Sequence, residues 1–480
     1  MDSDPRSERS TMLQRGAQES DPVGVDAAAR LRAGPRWTRE TGQKPDQFPM
    51  DESRLSDLGR RKLDSSIKAL PLRPDETLLA QDVGMRQWNV RRGDMDFPVL
   101  VLKERELIQN IGLMAAYCRQ HLVSLAPHGK TTMAPQIFQR QIAAGAWGIT
   151  AATISQCRTF RAFGVRRILL ANVLVDPVGI KWIMDELEGS SDFEFVCYVD
   201  SVRGIELIEK AIQGRPRGVR LPVLIELGYA KGRTGCRSRE EARQIAKRVR
   251  RSQTLELSGV AGFEGLVPAG TVERPLRPID EYLREMQQLV VALHDDGGGA
   301  PGRAMIVTAG GSAYFDRVVK FLGPEAFDFP VQTILRSGCY VTHDAELYEA
   351  TSPLAGRGPS DGPRLQPALE LWATVWSRPE PDLAILGLGT RDTPYDYRLP
   401  VPQSVWRPDQ RRGRDVRGRY HITGLNDQHA FVRIPPDDPL RVGDQVVCGV
   451  SHPCGAFDKW SFIPVVDDEY SVIGGISTLF

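Results

Sequence analysis

The chain has 480 residues, and its 62 Lys and Arg residues almost balance its 61 Asp and Glu residues. A balanced charge excludes the simplest argument for nucleic-acid binding, which needs a strong basic excess or a basic patch. No run of about 18 apolar residues occurs, so we expect neither a membrane span nor a membrane partner. Seven cysteines without framework spacing, and an N-terminal stretch without the apolar core of a secretory signal, predict reduced thiols in a cytoplasmic protein.

The N-terminal region is polar, rich in Arg, Asp and Ser, and weakly periodic. We predict that residues 1–70 form an extension, with short helices at Ala27–Arg32 and Leu55–Ser66. A strand is predicted over Phe97–Leu102, and a helix over Glu104–Arg119 follows it directly.

Between residues 122 and 336, short apolar or β-branched runs alternate with helical stretches. The predicted strands are Leu122–Ala126, Gly148–Thr153, Arg167–Ala171, Glu194–Val199, Pro222–Leu227, Leu257–Phe263, Ala304–Thr308 and Gln332–Arg336. The helices between them are Ala134–Ala144, Ser155–Phe163, Gly179–Leu187, Val202–Gln213, Arg239–Val249, Ile279–Asp295 and Tyr314–Leu322. This alternation favours an α/β fold with a (β/α)8 TIM barrel over a doubly wound open sheet.

The pattern changes after about residue 345, where helical periodicity is nearly absent. A Gly- and Pro-rich loop at Gly356–Pro363 is followed by strand-and-turn segments such as Ala368–Ser377, which predict an all-β domain. The predicted organisation is an N-terminal extension over residues 1–70, a barrel over residues 101–345, and a C-terminal β domain that combines residues 71–100 with residues 346–480.

In a barrel of this kind, the functional face lies at the C-terminal ends of the strands. The segment Pro127–Thr132 follows the first strand and contains Lys130. Its Gly-Lys-Thr triplet is not a phosphate-binding P-loop, because Ser124 stands where the first glycine is required. A lone lysine after a strand is usually a solvated surface residue, but at the mouth of a barrel a partly desolvated amine can form a Schiff base.

Gly-rich loops follow three of the later strands. Taken alone, Gly228–Gly235 after the fifth strand is a Gly-rich turn. Thr308–Ser312 follows the seventh strand and Arg336–Tyr340 the eighth, and loops at these two places in a barrel commonly hold a phosphate. A lysine after strand one and a phosphate cradle after strands seven and eight together predict pyridoxal 5′-phosphate (PLP).

The C-terminal region offers a candidate metal site at His452 and Cys454. In a strand, an H-x-C pair places both side chains on one face, where they could share a metal. Two ligands are fewer than zinc requires, so the alternative is a half-buried histidine beside an apolar thiol. Asp392 and Asp396 are by default turn residues beside Pro394.

From about Phe97 to its C-terminus, the chain resembles the fold-type III PLP enzymes, in the group that contains D-serine dehydratase and D-threonine aldolase. The motifs that carry the resemblance occur in the same order: Pro127-His-Gly-Lys-Thr131, Gly232-Arg-Thr-Gly235, Gly262-Phe-Glu-Gly265, Thr308-Ala-Gly-Gly311, Arg391-Asp392 with Asp396, and His452-x-Cys454.

The resemblance implies an alanine racemase-like barrel with an added β domain, and a homodimer with the active site near the subunit interface. It implies that Lys130 bonds to PLP and acts as the base for the α-proton, that Arg233 lies near the pyridine ring, and that His452 and Cys454 bind Zn²⁺. The implied cofactor-binding residues are Lys130, His128, Arg233, Thr308, Gly310, Gly311, Ser312, Gly338 and Cys339.

The H-x-C form separates the two branches of the group, since the dehydratase branch is similar in having His-x-Cys and the aldolase branch typically has His-x-Asp. A thiolate favours zinc, whereas a carboxylate suits magnesium or manganese. We therefore predict zinc-assisted dehydration of a D-3-hydroxy amino acid to a 2-oxo acid and ammonia. The alternatives are D-threonine aldolase-type cleavage to glycine and an aldehyde, an amino-acid racemase, and a non-catalytic PLP-carrying protein. Phe263 stands where the group often has Tyr, which affects the choice of substrate.

Overall fold

A computed structural model of the protein describes residues 50–480, except residues 216–217, 269–275, 299–302, 408–409 and 411. Residues 1–49, with the helix predicted at Ala27–Arg32, lie outside the described residues. The first described elements are α1 (Glu52–Gly59), β1 (Lys62–Leu63), β2 (Leu78–Leu79), β3 (Val99–Lys103) and α2 (Glu104–Gln120).

Residues 50–70 differ from the predicted extension, because they pack against the rest of the molecule. Helix α1 begins at the Asp51 cap and ends at Gly59, so it is shorter than the helix predicted over Leu55–Ser66. The chain then pairs β1 with β2, and Leu63 and Leu70 are buried in the main core. The polar composition of this segment did not indicate that these two leucines would be buried. The predicted domain boundaries stay a prediction.

The middle of the chain alternates strictly between strands and helices. Its strands are β4 (Ser124–Leu125), β5 (Ile149–Ala151), β6 (Arg167–Val173), β7 (Glu194–Val199), β8 (Leu221–Leu227), β9 (Leu255–Gly262), β10 (Met305–Ala309) and β11 (Val331–Leu335). The helices between them are α3 (Pro135–Ala143), α4 (Ile154–Ala162), α5 (Pro177–Gly189), α6 (Val202–Ile212), α7 (Arg239–Arg250), α8 (Arg277–Asp295) and α9 (Phe315–Leu322). Every predicted strand and helix of this region overlaps an observed one.

Short polar side chains fix where several of these helices begin. Thr153, Asp176, Ser201 and Ser238 each accept a hydrogen bond from a backbone amide in the first turn of α4, α5, α6 and α7, respectively. Such caps satisfy amide groups that have no partner inside the helix, at a typical gain of about 1 kcal/mol each. They therefore set the length of the loops at the C-terminal ends of the strands, where the functional residues of a barrel lie.

The strands form one parallel sheet of eight strands in the order β4-β11-β10-β9-β8-β7-β6-β5. Its two edges meet where His128 pairs with Thr150 in a parallel bridge and the Thr150 amide donates to the Pro127 carbonyl at 2.9 Å. The sheet is therefore closed, and the predicted (β/α)8 barrel is confirmed. Apolar side chains that alternate along the strands fill its interior: Ala126, Leu169, Val196, Tyr198, Leu224, Ala261 and Ile334.

The C-terminal region is a mainly antiparallel β domain, as predicted. Its strands are β12 (Leu369–Glu380), β13 (Leu383–Leu386), β14 (Val401–Trp406), β15 (Arg414–Asp415), β16 (His421–Leu425), β17 (Ala430–Arg433), β18 (Gln445–Gly449), β19 (Phe462–Val466) and β20 (Val472–Ser477). Two short helices accompany them, α10 (Leu347–Thr351) and α11 (Cys454–Phe457). Strand β3 pairs with β12 and β19, so the chain contributes to this sheet before it enters the barrel.

No helix among the described residues is both long and apolar enough to cross a membrane.

Candidate active site

Lys130 lies at the mouth of the barrel, five residues after the end of β4. It is exposed and belongs to a single 3-10 turn, Gly129–Thr131. Gly129 is required in this turn, because a Cβ atom there would lie 2.5 Å from the Phe160 ring and 2.8 Å from Ile149. The turn is thus packed against the barrel wall, while Lys130 itself is exposed.

His128 precedes this turn, and its Nδ1 atom is buried without a hydrogen-bond partner among the described residues. Burial, together with the positive charges of Lys130 and Arg336, holds the pKa of His128 well below its usual value. The imidazole is therefore neutral, with one ring nitrogen left over for a bound group.

Two more buried polar atoms at the strand ends have no partner within the described part of the chain. They are the Tyr198 hydroxyl on β7 and Glu226 Oε2 on β8. Burial raises the pKa of Tyr198 to about 12 and also raises the pKa of Glu226. Native structures seldom leave buried polar atoms unsatisfied, so these atoms indicate a place for a polar ligand.

Arg336, which follows β11, was not assigned a role from the sequence. Its guanidinium is buried and donates to two neutral oxygens, Thr308 Oγ1 at 2.7 Å and the Gly262 carbonyl at 2.6 Å. It acts electrostatically on His128, Tyr198 and Glu226, the residues with unpartnered atoms. An arginine directly after a barrel strand was the available sequence signal. Thr308, predicted to contact the cofactor, holds this arginine.

Arg233 is exposed at the same mouth, with its guanidinium carbon 4.8 Å from the centre of the Phe263 ring. Arg237 fixes the loop that contains Arg233. Its guanidinium donates to the carbonyls of Gly232 at 3.2 Å and Gly235 at 2.6 Å, and also to the carbonyl of Arg233. Phe263 therefore supports Arg233 through its ring face, a contact that does not need the hydroxyl of a tyrosine.

The amides of Gly310 and Gly311 point at one carboxylate, that of Glu264. Gly310 donates to Glu264 Oε2 at 3.0 Å and Gly311 to Oε1 at 2.8 Å, and Glu264 is fully buried. Gly310 has a φ of +96°, which favours glycine. These two amides, predicted to hold a phosphate, are thus already paired. Glu264 belongs to the Gly262–Gly265 motif, but its role could not be read from the motif.

The loop after β11 lies directly against the lysine turn. A Cβ atom on Gly338 would lie 2.5 Å from Thr131 Oγ1 and 2.9 Å from His128 Cβ. Ser312 is buried in the neighbouring loop, and Cys339 begins the 3-10 turn Cys339–Val341. The structure therefore brings the predicted lysine and both predicted phosphate loops to one end of the barrel.

Three side chains of types that can bind a metal meet at this loop: Cys339, His452 and Cys454. Their ligand atoms all lie within 4.8 Å of one another, and the two sulfurs are 3.3 Å apart. His452 Nδ1 is 2.8 Å from an oxygen of Asp396, which leaves Nε2 as the ligand nitrogen. Cys454 is also 3.4 Å from Thr131 Oγ1, so the cluster touches the lysine turn.

The three side chains of the cluster shift one another's pKa values in different directions. The Cys339 thiol holds the pKa of Cys454 well below its usual value, against burial and with the help of His452. Hydrogen bonding to Cys454 and burial raise the pKa of Cys339. For His452, burial lowers the pKa, but Cys454 and Asp396 outweigh it and bring the pKa to about 9. A divalent cation would bind Cys454 as a thiolate and His452 as a neutral imidazole, and it would take the place of a proton that the cluster otherwise holds.

The H-x-C pair does not lie in a strand. His452 lies in a loop, and Cys454 is the first residue of α11, with Pro453 already in a helical conformation. Pro453 cannot donate to a sheet, and its ring favours the first turn of a helix. The side chains nevertheless meet, because the helix start turns Cys454 back towards His452.

Other polar residues of the β domain lie apart from this cluster. Arg391 forms an exposed ion pair with Asp427 at 3.4 Å, and the His429 ring packs edge-on against Trp376. Asp392 is buried and pairs with Lys68 at 3.0 Å. These contacts are structural, and Asp396 is the acid of the Arg391–Asp396 motif that reaches the site.

Two family models match the chain, one over each part of the fold. Residues 103–318 match the model described as "Alanine racemase, N-terminal domain", and residues 368–466 match "Putative serine dehydratase domain".

The curated relatives are named as aldolases and as a dehydratase. The chain is 26% identical to the D-threonine aldolase of an Arthrobacter species over 353 residues, 71% of this chain and 81% of that enzyme. It is 25% identical to the 3-hydroxy-D-aspartate aldolase of Paracoccus denitrificans over 359 residues, 74% of this chain and 84% of that enzyme. It is 31% identical to the D-threo-3-hydroxyaspartate dehydratase of Delftia over 141 residues, 29% of this chain and 36% of that enzyme.

Solved structures show the same fold. The D-threonine aldolase of Filomicrobium marinum superposes with a TM-score of 0.65 at 21% identity, covering 80% of this chain and 95% of that chain. The Delftia dehydratase superposes with a TM-score of 0.63 at 22% identity, covering 80% of this chain and 97% of that chain.

A closed parallel barrel with a lysine at its mouth, joined to an antiparallel β domain, defines the fold-type III class of PLP-dependent enzymes. The chain's curated homologues are aldolases and a dehydratase, which are lyases, and its C-terminal region matches the serine dehydratase model.

Proposed function

We propose that the protein is a PLP-dependent, zinc-assisted lyase that dehydrates a D-3-hydroxy amino acid, such as D-serine, to a 2-oxo acid and ammonia. The observation that carries the proposal is the contact between the two chemical groups of the site. Cys454 of the thiol–histidine cluster lies 3.4 Å from Thr131, the residue after Lys130. A base for the α-proton and a ligand set for a metal can therefore act on neighbouring carbons of one substrate.

The residues at the barrel mouth fit PLP. The unpartnered atoms of His128, Tyr198 and Glu226 offer polar contacts to a ring, and Ser312, Gly338 and Cys339, in the loops beside the lysine turn, would hold its phosphate. The amides of Gly310 and Gly311 would either release Glu264 or support the loop through it. When bound, PLP spreads the negative charge that develops at the α-carbon.

Lys130 is the residue that would bond to the cofactor and then carry the α-proton on Nζ. Its side chain is exposed at the mouth, and it makes no ion pair among the described residues. The amine is therefore free to bond to the cofactor and, once released, to accept the α-proton. The prediction that Arg233 lies near the pyridine nitrogen has an alternative in Arg336. Arg336 is buried and faces the unpartnered polar atoms, whereas Arg233 is exposed and suits a substrate carboxylate.

His452 and Cys454 would hold the metal, with Asp396 fixing the tautomer and orientation of the imidazole. Thiolate and imidazole ligands favour zinc over magnesium or manganese. A bound zinc ion supplies a Lewis acid that makes the β-hydroxyl a better leaving group. Thr131 Oγ1 lies beside the Cys454 sulfur and helps to fix it. The enamine that is released would hydrolyse in water to the 2-oxo acid and ammonia.

A second candidate is retro-aldol cleavage to glycine and an aldehyde. It is favoured by the length of the match to the Arthrobacter D-threonine aldolase, which covers 71% of this chain, against 29% for the Delftia dehydratase. The thiol ligand Cys454 favours dehydration. For a racemase we assign no second base opposite Lys130, and a non-catalytic PLP carrier would have no need of a metal cluster. The homodimer and the cytoplasmic location stay predictions.

One assay separates these reactions. The purified enzyme is incubated with D- and L-serine, D-threonine and D-3-hydroxyaspartate, with and without a chelator, and ammonia, glycine and the change of enantiomer are measured. We expect ammonia from a D-3-hydroxy amino acid, and loss of turnover with the chelator while the visible absorbance of PLP persists. Glycine without ammonia would establish the aldolase, and full turnover after metal removal would exclude the metal role.

A further inference from the structure

The cluster contains one sulfur more than the H-x-C pair. Cys339 follows barrel strand β11, and Cys454 belongs to the β domain, yet their sulfur atoms are 3.3 Å apart. The ligand atoms of Cys339, His452 and Cys454 lie within 4.8 Å of one another. The barrel thus contributes a potential ligand to a site whose other members come from the β domain.

Cys339 differs from the other buried cysteines in its surroundings. Cys118, Cys157, Cys197 and Cys448 lie in the apolar core, whereas the Cys339 side chain faces a second thiol and the hydroxyl of Tyr348. Its backbone is fixed as well, because the Cys339 carbonyl accepts the His343 amide at 2.7 Å. The sulfur is therefore held in place before any ion binds, and this lowers the cost of ordering a ligand.

The spacing suits a tetrahedral ion. With zinc–sulfur bonds of about 2.3 Å, two thiolates on one tetrahedral zinc lie roughly 3.8 Å apart. The observed 3.3 Å therefore needs a shift of only about 0.5 Å, which a rotation of either side chain supplies. Three protein ligands with one open position is the usual arrangement of a catalytic zinc.

We propose that Cys339 is the third protein ligand of the metal, forming a Cys2His site that selects a thiophilic divalent cation and leaves one position for the substrate hydroxyl. This inference rests on the proposed metal role of His452 and Cys454. It also ties the metal to the barrel, since the Cys339 sulfur binds the ion while its backbone stays available to the phosphate loop. A site of two thiolates should bind zinc in strong preference to manganese or magnesium.

The test measures metal binding directly. The PLP-loaded enzyme is reduced, stripped of metal, and titrated with Co²⁺, whose sulfur-to-cobalt absorption grows with the number of thiolate ligands. Zinc affinity is then measured by competition with a coloured chelator. The variants are Cys339→Ser, Cys339→Asp and, as a control of equal exposure (5%) outside the three-residue cluster, Cys118→Ser.

For Cys339→Ser we expect about half of the wild-type charge-transfer absorption and a loss of zinc affinity of about 100-fold, the upper end of what indirect supporting residues contribute. Cys339→Asp should keep a ligand but shift the preference towards manganese, which also reports on the site if the serine variant folds poorly. Cys118→Ser should match the wild type. The inference is overturned if Cys339→Ser keeps wild-type affinity and absorption while Cys454→Ala loses them. If Cys454→Ala and His452→Ala also leave metal binding unchanged, the proposed metal role itself is wrong.

Discussion

The two halves of the candidate site are built on different principles. The cofactor half, residues 128–131, 308–312 and 336–338, lies at the ends of parallel strands whose register is fixed by a closed sheet. The metal half, Cys339, Asp396, His452 and Cys454, is assembled from loops and a helix end that are far apart in sequence. In the cofactor half the backbone sets the geometry, whereas in the metal half the docking of the β domain on the barrel sets it.

This difference predicts different responses to substitution. Changes in the cofactor half should remove chemistry or cofactor binding and leave the metal in place. Changes in the metal half should remove the metal and turnover while the cofactor stays bound. The two halves touch at two residues. Thr131 contacts Cys454, and Cys339 lies at the end of the phosphate loop while its sulfur contacts Cys454.

The largest effect is expected for Lys130→Ala. Loss of both the attachment point and the base should lower turnover by at least about 1,000-fold, because a positioned general base alone contributes 100- to 10,000-fold. Borohydride reduction followed by peptide mapping should place the cofactor label on Lys130 in the wild type and remove it in the variant. Lys130→Arg keeps the charge but should be equally inactive. Retained turnover in either variant would contradict the role of Lys130, and metal content should not change.

Cys454→Ala tests the other half. Loss of a Lewis acid that contributes several kcal/mol should lower turnover by about 100- to 1,000-fold. The visible absorbance of PLP should persist, because Cys454 is not expected to touch the cofactor. Metal content and absorbance are measured on the same sample, with Cys118→Ser as the control. Loss of both the metal and PLP would show that the two halves form one cooperative unit and do not respond separately to substitution.

Asp396→Ala should have a smaller effect confined to the metal half. Asp396 contacts His452 Nδ1 at 2.8 Å, and removal of such a supporting carboxylate typically costs 10- to 100-fold in metal affinity. Competition with a chelator measures the effect, and Asp415→Ala on β15 is the control, since Asp415 is exposed and does not belong to the cluster. An unchanged affinity would show that Tyr397, whose ring packs 4.7 Å from His452, suffices to hold the imidazole.

How much of the site could be predicted from the sequence follows the same division. Lys130 and the loops after β10 and β11 could be placed, because alternation fixes the strands and the ends of parallel strands meet at one face. Arg336 and Glu264 lie in the right loops but could not be assigned, since their contacts run between strands. These contacts depend on how neighbouring loops fold over each other.

Of the metal half, only the residues that lie close together in the sequence could be predicted. The pair His452 and Cys454 was visible, but the strand geometry considered for it does not apply, because Cys454 begins α11. Cys339 lies 115 positions from Cys454, and Asp396 lies 56 positions from His452. No local period links such residues. Contacts between distant parts of the chain also explain why residues 50–70 were predicted as an extension. Leu63 and Leu70 are buried by tertiary contacts, which a polar composition does not reveal.

The smallest effect is expected for Glu264→Gln, which probes the rigidity of the cofactor half. Its carboxylate accepts the amides of Gly310 and Gly311, and a glutamine can accept only one of them while its NH2 group faces the other. Loss of one charge-assisted hydrogen bond, about 1.5–3 kcal/mol, should loosen the loop and weaken PLP binding on the order of tenfold. PLP release is followed by absorbance in the variant and in the exposed control Glu325→Gln, with metal content measured in parallel. If PLP binds more tightly in Glu264→Gln, then Glu264 competes with the phosphate for these amides. In that case the loop is an anion site that the phosphate must open, and the rigidity assigned to the cofactor half would be wrong.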